Sequence, residues 1–158
     1  MEELDTLDYQ LINLLQENGR ATNTEIANEI GVSEGTVRRR YRNLIEEGVI
    51  KVVAIPDPSK LGRGTTAVVG LQVDPAEVEP AANSMAKFPE VQYVSITTGA
   101  YDIFIWVALP SPEQLSTFLR SEIGSISGVK RTETFVNLAI KKNPGGPSSS
   151  ISASEDVA

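Results

Sequence analysis

The chain has no cysteine and no histidine. Without cysteine there is no disulfide, no thiol nucleophile and no cysteine-built zinc site. Without histidine the commonest general base and the commonest metal ligand are gone. A carboxylate-only catalyst survives both absences. Yet no nucleophile–base pair, Gly-rich phosphate loop or metal-ligand cluster is legible, and no cofactor is called for. No apolar run approaches the ~20 residues that cross a bilayer, so no membrane partner is expected. The acidic start Met1-Glu2-Glu3-Leu4-Asp5 reads as neither a signal nor a transit peptide, which makes a cytoplasmic location the expectation. Aromatic residues are sparse, and Tyr41 and Trp106 have ordinary core explanations.

What is present is organised around residues 22–48. Thr22-x-x-Glu25 is a capping box, Ile26, Ala27 and Ile30 form an inner face, and Gly31 stops that helix. Ser33 then caps a second helix running from about Glu34 to Glu47, with Val37, Tyr41, Leu44 and Ile45 as its buried stripe. A preceding helix over 5–17 carries Leu7, Leu11, Leu14 and Leu15 on one stripe. Two helices joined by a tight turn, the second rich in arginine, are the sequence form of a helix-turn-helix whose second helix enters the DNA major groove.

At 100° per residue, Arg39 points away from the stripe. Arg42, Gly35, Thr36 and Asn43 also face outward, and Arg38 and Arg40 lie on the flanks. Arg42 and Glu46 are spaced as an i, i+4 pair, and a structural salt bridge competes for Arg40. The candidate DNA contacts are Thr22, Asn23, Ser33, Glu34, Gly35, Thr36, Arg38, Arg39 and Arg42.

Basic residues are otherwise scarce, and the net charge is −7. Residues 1–50 hold ten acids against five arginines, four of the arginines within 38–42. A positive strip on an acidic body binds phosphates where it touches and repels DNA elsewhere, so one subunit should bind modestly and work in pairs.

The β-branched run Val49–Ile55 reads as a strand, a wing or the start of a linker. The proline- and glycine-punctuated stretch 56–64 reads as a hinge. Residues 65–142 follow the order strand-helix-strand-strand-helix-strand: strands over 66–73, 91–97, 102–109 and 129–141, the last with room for a bulge or bend. A hairpin turn is expected at Thr98-Gly99-Ala100-Tyr101, and a strong helix start at Ser111-Pro112-Glu113-Gln114. The fold class is therefore α+β: a winged helix-turn-helix over 1–55 and a ferredoxin-like βαββαβ domain over 65–142. The third strand is apolar on both faces, Ile103, Ile105, Val107 and Leu109 on one and Phe104, Trp106 and Ala108 on the other. Two helices cover one sheet face, so the other calls for a second subunit. Residues 143–158, rich in Ser, Pro and Gly, read as a disordered tail.

These residues resemble the leucine-responsive/asparagine regulator (Lrp/AsnC) family of transcription factors. The likeness runs through Leu4-Asp5-x-x-Asp8-x-x-Leu11, Gly19-Arg20, Glu25-Ile26-Ala27, Gly31-Val32-Ser33, Val37-x-x-Arg40 and Leu44-x-x-x-Gly48-Val49-Ile50. It continues through Pro89-Glu90-Val91, Thr98-Gly99-Ala100-Tyr101-Asp102, Gly128-Val129 and Thr132-x-Thr134. The resemblance implies a dimer through the second domain, in this family often assembled into tetramers or octamers. It also implies a small-molecule effector, usually an amino acid, bound near Thr98, Gly99, Ala100, Tyr101, Asp102 and Thr134. A turn at Gly99 lets backbone groups meet an α-carboxylate while Asp102 meets an α-ammonium; the bland reading is that Gly99 and Asp102 simply build the hairpin.

The leading expectation is a sequence-specific, effector-responsive transcriptional regulator rather than an enzyme. One alternative is an architectural DNA-binding protein of low specificity, which the net charge opposes. The other is an enzyme resembling the haem-biosynthesis decarboxylases that share both halves of the family; sites of that kind are expected to use histidine, which this chain lacks.

Overall fold

The computed structural model describes residues 4–141; the tail expected over 143–158 lies outside them. The chain divides into two compact units, one ending at Ile55 and one spanning Pro56–Ile140.

The first unit is three helices: α1 (Thr6–Glu17), α2 (Asn23–Ile30) and α3 (Glu34–Glu46). Each begins at a side-chain cap. The Leu7 and Asp8 N–H groups donate to Asp5 Oδ1, the Glu25 N–H to Thr22 Oγ1, and the Thr36 N–H to Ser33 Oγ. Gly31 ends α2 in the left-handed conformation (φ +71°), which a Cβ would disfavour. Leu11, Ile26, Ala27, Val37 and Leu44 form the sealed centre, with Leu14, Leu15, Ile30 and Tyr41 packed around it. Ile45, expected in the stripe, is exposed. It lies 100° beyond Leu44 and so falls at the rim of the contact.

Val49–Ile55 does not form a strand. No strand pairs with it among the described residues, and the Val49 and Ile50 N–H groups donate instead to Leu44 O at the end of α3. Val52, Val53 and Ile55 remain exposed, as a β-branched run without a partner strand must leave them.

The second unit has four strands, β1 (Thr65–Val73), β2 (Val91–Ile96), β3 (Ile103–Leu109) and β4 (Val129–Val136), and two helices, α4 (Val78–Met85) and α5 (Pro112–Ser121). The sheet order is β2-β3-β1-β4, with every neighbouring pair antiparallel. This is the βαββαβ arrangement. Ala67, Val69, Leu71 and Val73 of β1 and Ile103, Ile105, Val107 and Leu109 of β3 meet Ala81, Met85, Leu115 and Phe118 of the helices. Burying each large side chain contributes roughly 1.5–3 kcal/mol. β4 stops at Val136 rather than near residue 141, and its bulge is at Lys130, the residue skipped between the pairs Gln72–Arg131 and Val73–Val129.

Alternation along the strands defines the opposite face. Val68, Gly70 and Gln72 of β1, Phe104, Trp106 and Ala108 of β3, Tyr93 of β2 and Arg131, Glu133 and Phe135 of β4 share it. Among the described residues, no helix of this unit covers this face. Tyr93 and Phe135 are exposed there, and Phe104 and Trp106 are half-buried.

Candidate functional site

On the first unit the four clustered arginines fall into two kinds. Arg40 reaches back to α1 and is held between Asp5 at 2.7 Å and Asp8 at 2.9 Å. Asp8 raises the Arg40 pKa through their hydrogen bond, keeping the guanidinium firmly charged. Arg38 is paired with Glu34 one turn earlier on α3. Arg39 and Arg42 are exposed, with no ion-pair partner among the described residues. The expected Arg42–Glu46 pair does not form. An acid N-terminal to a base at i, i+4 agrees with the helix dipole, as in Glu34–Arg38, whereas Arg42–Glu46 has the weaker order.

The other predicted contacts are sorted by what already engages them. The Thr22 N–H and hydroxyl both donate to Glu25 Oε2, at 2.7 and 2.8 Å, so its hydroxyl proton is committed to the cap. The Thr22 N–H also holds the Glu25 carboxyl below its usual range. Asn23 is half-buried in the first turn of α2. The Ser33 and Thr36 hydroxyls share one hydrogen bond of 2.9 Å, which leaves one of their two protons to donate elsewhere. Gly35 is exposed between them. Glu34 bridges the two helices of the motif, accepting from the Thr24 hydroxyl at 3.3 Å as well as from Arg38. This surface thus offers Ser33, Glu34, Gly35, Thr36, Arg38, Arg39 and Arg42, while Thr22 is occupied and Arg40 is structural.

On the second unit the loop between β2 and β3 is closed by the Thr97 N–H donating to Asp102 O at 2.8 Å. Gly99 has φ +117°, a conformation that L side chains rarely adopt, and Thr98, Gly99 and Ala100 are exposed. Asp102 ties the loop to the end of β1. Its N–H donates to Leu71 O and its Oδ2 accepts from the Val73 N–H, both at 2.9 Å. The Gln72 amide donates to Ala100 O at 3.0 Å.

Tyr101 folds onto the uncovered sheet face over Gly70, where an added Cβ would fall 2.8 Å from the Tyr101 ring. That ring meets Phe104 edge-on with centroids 5.4 Å apart, and its hydroxyl donates to Glu133 Oε2. The Glu133 hydrogen bond raises the Tyr101 pKa, so the contact holds at neutral pH and is lost only as pH climbs through that elevated value, above the ordinary ~10. Thr134 is not with the other loop residues. It pairs with Val69, whose side chain lies in the helix-covered core, so Thr134 points to that same covered face, away from Tyr101. Glu133, one residue earlier, is the β4 residue at the loop. Glu133, Gly70 and Gln72 were absent from the predicted set, although a glycine inside an apolar strand pattern signals close approach of another group.

Among the described residues, no helix is long and apolar enough to cross a membrane, and no group of three or more acidic residues could hold a metal ion.

A three-helix unit presenting an arginine-bearing third helix, followed by a βαββαβ unit, defines the class of two-domain helix-turn-helix regulators. The winged helix-turn-helix DNA-binding family model matches residues 4–51, and the Lrp/AsnC ligand binding domain model matches residues 66–146. An uncharacterised HTH-type transcriptional regulator of Pyrococcus horikoshii is 40% identical over 141 residues, 89% of either chain. The HTH-type transcriptional regulator FL11 of the same organism is 39% identical, covering 88% of this chain and 92% of its own. Among solved structures, Escherichia coli AsnC superposes with a TM-score of 0.82 at 28% identity, covering 92% of this chain and 99% of its own. A Neisseria meningitidis transcriptional regulator in complex with L-Met gives 0.83 at 26% identity, covering 89% and 94%. The chain belongs to the Lrp/AsnC family: it is a transcriptional regulator with a helix-turn-helix DNA-binding domain and a ligand-binding domain of that family.

Proposed function

We propose that this regulator binds double-stranded DNA sequence-specifically through α3, as a homodimer or a larger assembly, and that an amino acid at the β2–β3 loop alters its assembly or DNA binding. The observation that carries the DNA half is the sorting of arginines. Arg38 and Arg40 are engaged by carboxylates, whereas Arg39 and Arg42 stand on the outward face of α3 without one among the described residues. In a chain of net charge −7, two uncommitted guanidinium groups on the second helix of the motif are the phosphate- and base-seeking groups.

Footprinting on DNA upstream of the protein's own coding region tests this. Arg39→Ala and Arg42→Ala are each expected to weaken binding about tenfold, and loss of a phosphate contact lowers the salt slope by ≈ 1. Equal affinity for the promoter fragment and random DNA at one salt concentration would favour the architectural alternative. No protection, with Arg39→Ala indistinguishable from wild type, would end the DNA reading.

For the effector half, the support is a loop with exposed backbone at Thr98–Ala100 beside a carboxylate at Asp102, together with a relative crystallised with L-Met. Asp102 already accepts the Val73 N–H, so its replacement must preserve that bond. Asp102→Asn keeps an acceptor and removes the charge. In a thermal-shift screen of amino acids, the wild type is expected to rise in Tm with its effector and Asp102→Asn to show no rise at the same concentration. Asp102→Ala should in addition lower the baseline by about 1–3 kcal/mol through the orphaned N–H. An undiminished response in Asp102→Asn would remove Asp102 from the effector site.

A further inference from the structure

We infer that the Glu34–Arg38 pair reads one C·G base pair in each half-site, Glu34 accepting from the cytosine amine and Arg38 donating to the guanine. The inference rests on the proposal that α3 is the DNA-reading helix, and gives a job to a carboxylate that phosphate binding alone leaves unexplained. Glu34 is in the first turn of α3, where the residues of a recognition helix meet base edges. A negative charge there is repelled by phosphates on every sequence alike. Such a group lowers affinity uniformly unless something in the groove donates to it.

The local geometry holds the carboxylate in place and leaves part of it unused. One oxygen accepts from Arg38 and the other from the Thr24 hydroxyl at 3.3 Å, so Glu34 is fixed from its own helix and from α2. An ionised carboxylate has about four lone-pair positions, of which these two bonds take two. The side chain is 43% exposed and that of Arg38 65%, so both remain open to a partner. The Arg38 bond uses one terminal nitrogen of the guanidinium, leaving donors on the others.

The pair therefore presents an acceptor beside a set of donors. In the major groove a C·G pair offers the complement: the cytosine N4 amine as donor, and guanine O6 and N7 as acceptors. Adenine also has an exocyclic amine, but its adjacent N7 acceptor would oppose the second carboxylate oxygen. Thymine presents O4 and a methyl group, neither of which donates. The same Glu34 that restrains Arg38 thus prevents it from serving as an undirected phosphate contact. A plain surface ion pair accounts for the bond between the two residues, but not for an acid kept on the face that meets DNA.

In vitro selection of binding sites from a random duplex library, run on the full chain as wild type, Glu34→Ala and Arg38→Ala, tests the inference. The wild type should select a consensus with a C·G pair at one position per half-site, a mismatch there costing about tenfold in affinity. Glu34→Ala should lose the preference at that position alone, to within about twofold, while its affinity for random DNA rises. Arg38→Ala should lose the same position. Both side chains are exposed, and a circular dichroism spectrum matching wild type establishes that the variants are folded. An unchanged consensus in Glu34→Ala, with affinity rising equally on all sequences, would overturn the inference while leaving DNA recognition by α3 intact. A wild type that binds but selects no consensus would overturn sequence-specific recognition itself, and this inference with it.

Discussion

Replacing Arg40 with methionine is expected to loosen the first unit while leaving the second unaffected. Methionine keeps the apolar stem and removes the guanidinium, leaving Asp8, which is 8% exposed, and Asp5 facing each other without a counter-charge. Breaking one side of a fully buried pair costs about 3–5 kcal/mol. The Arg40 side chain is 24% exposed, so water screens part of the loss and about 2 kcal/mol is expected. For a unit of this size, whose whole stability is roughly 3–8 kcal/mol, that is a large share. Hydrogen exchange resolved by segment should show α1–α3 exchanging about 30-fold faster, with β1–β4 unchanged.

The double variant Asp8→Leu/Arg40→Met removes the more buried of the two orphaned charges and should recover part of the loss. It does not recover all of it, because the Asp8 carboxylate also accepts the Asp5 N–H at 3.1 Å. The pH dependence has a definite sign. The Asp5 pKa is depressed, first by the Asp8 N–H and then by Arg40, so its contribution is present above the ordinary value near 4 and disappears as pH falls through the depressed one. Without Arg40 the acid unfolding of this unit should begin at higher pH. Unchanged exchange in Arg40→Met would mean that the two ion pairs contribute nothing to holding α3 on α1.

That role for Arg40 was half visible in the sequence. Its flank position on α3 follows from counting residues, but its partners lie about 30 residues earlier, on a helix whose approach only packing fixes. What was legible is what short-range chemistry decides: the capping box at Thr22–Glu25, the stop at Gly31, the proline-led start of α5, and the alternation that places Ile103, Ile105 and Val107 on one face of β3. The strand expected at Val49–Ile55 failed for the converse reason, since β-propensity describes a surface that fits a sheet and does not supply the neighbouring strand. At the β2–β3 loop, the candidate effector site, the turn at Gly99 was readable because a positive φ demands glycine. That Glu133 rather than Thr134 meets Tyr101 is not legible in the sequence, because a one-residue change in register exchanges the faces of a strand. The Glu34–Arg38 pair is legible from spacing and order, since Arg42–Glu46 has the same spacing in the less favourable direction.

Replacing Trp106 with glutamate is expected to convert the proposed dimer to a monomer that still folds. Trp106 is at the middle of the uncovered sheet face, flanked by Val68 on β1, Phe104 and Ala108 along β3, and Tyr93 on β2. Its half-buried state means that the monomer tolerates the change, because the new carboxylate can reach water once the partner is absent. In a two-fold interface every substitution occurs twice. Losing an aromatic anchor costs about 2 kcal/mol or more per site, so a pair of them weakens association by roughly a thousandfold, before the cost of opposing two buried carboxylates. Sedimentation velocity at micromolar concentration should give a monomer for Trp106→Glu and a dimer or larger species for the wild type, with matching far-ultraviolet circular dichroism. DNA affinity should fall with it, because an acidic chain offering few uncommitted arginines depends on two linked contacts rather than one. Tyr101 lies on this same face, over Gly70 and against Glu133. The loop that carries the effector candidates and the proposed assembly surface therefore share a side chain, so a ligand that moves Tyr101 would act on the proposed dimer contact. An unaltered sedimentation coefficient in Trp106→Glu would exclude this face as the interface and leave the assembly to be sought elsewhere, with the exposed Val52–Ile55 segment as the next surface to test.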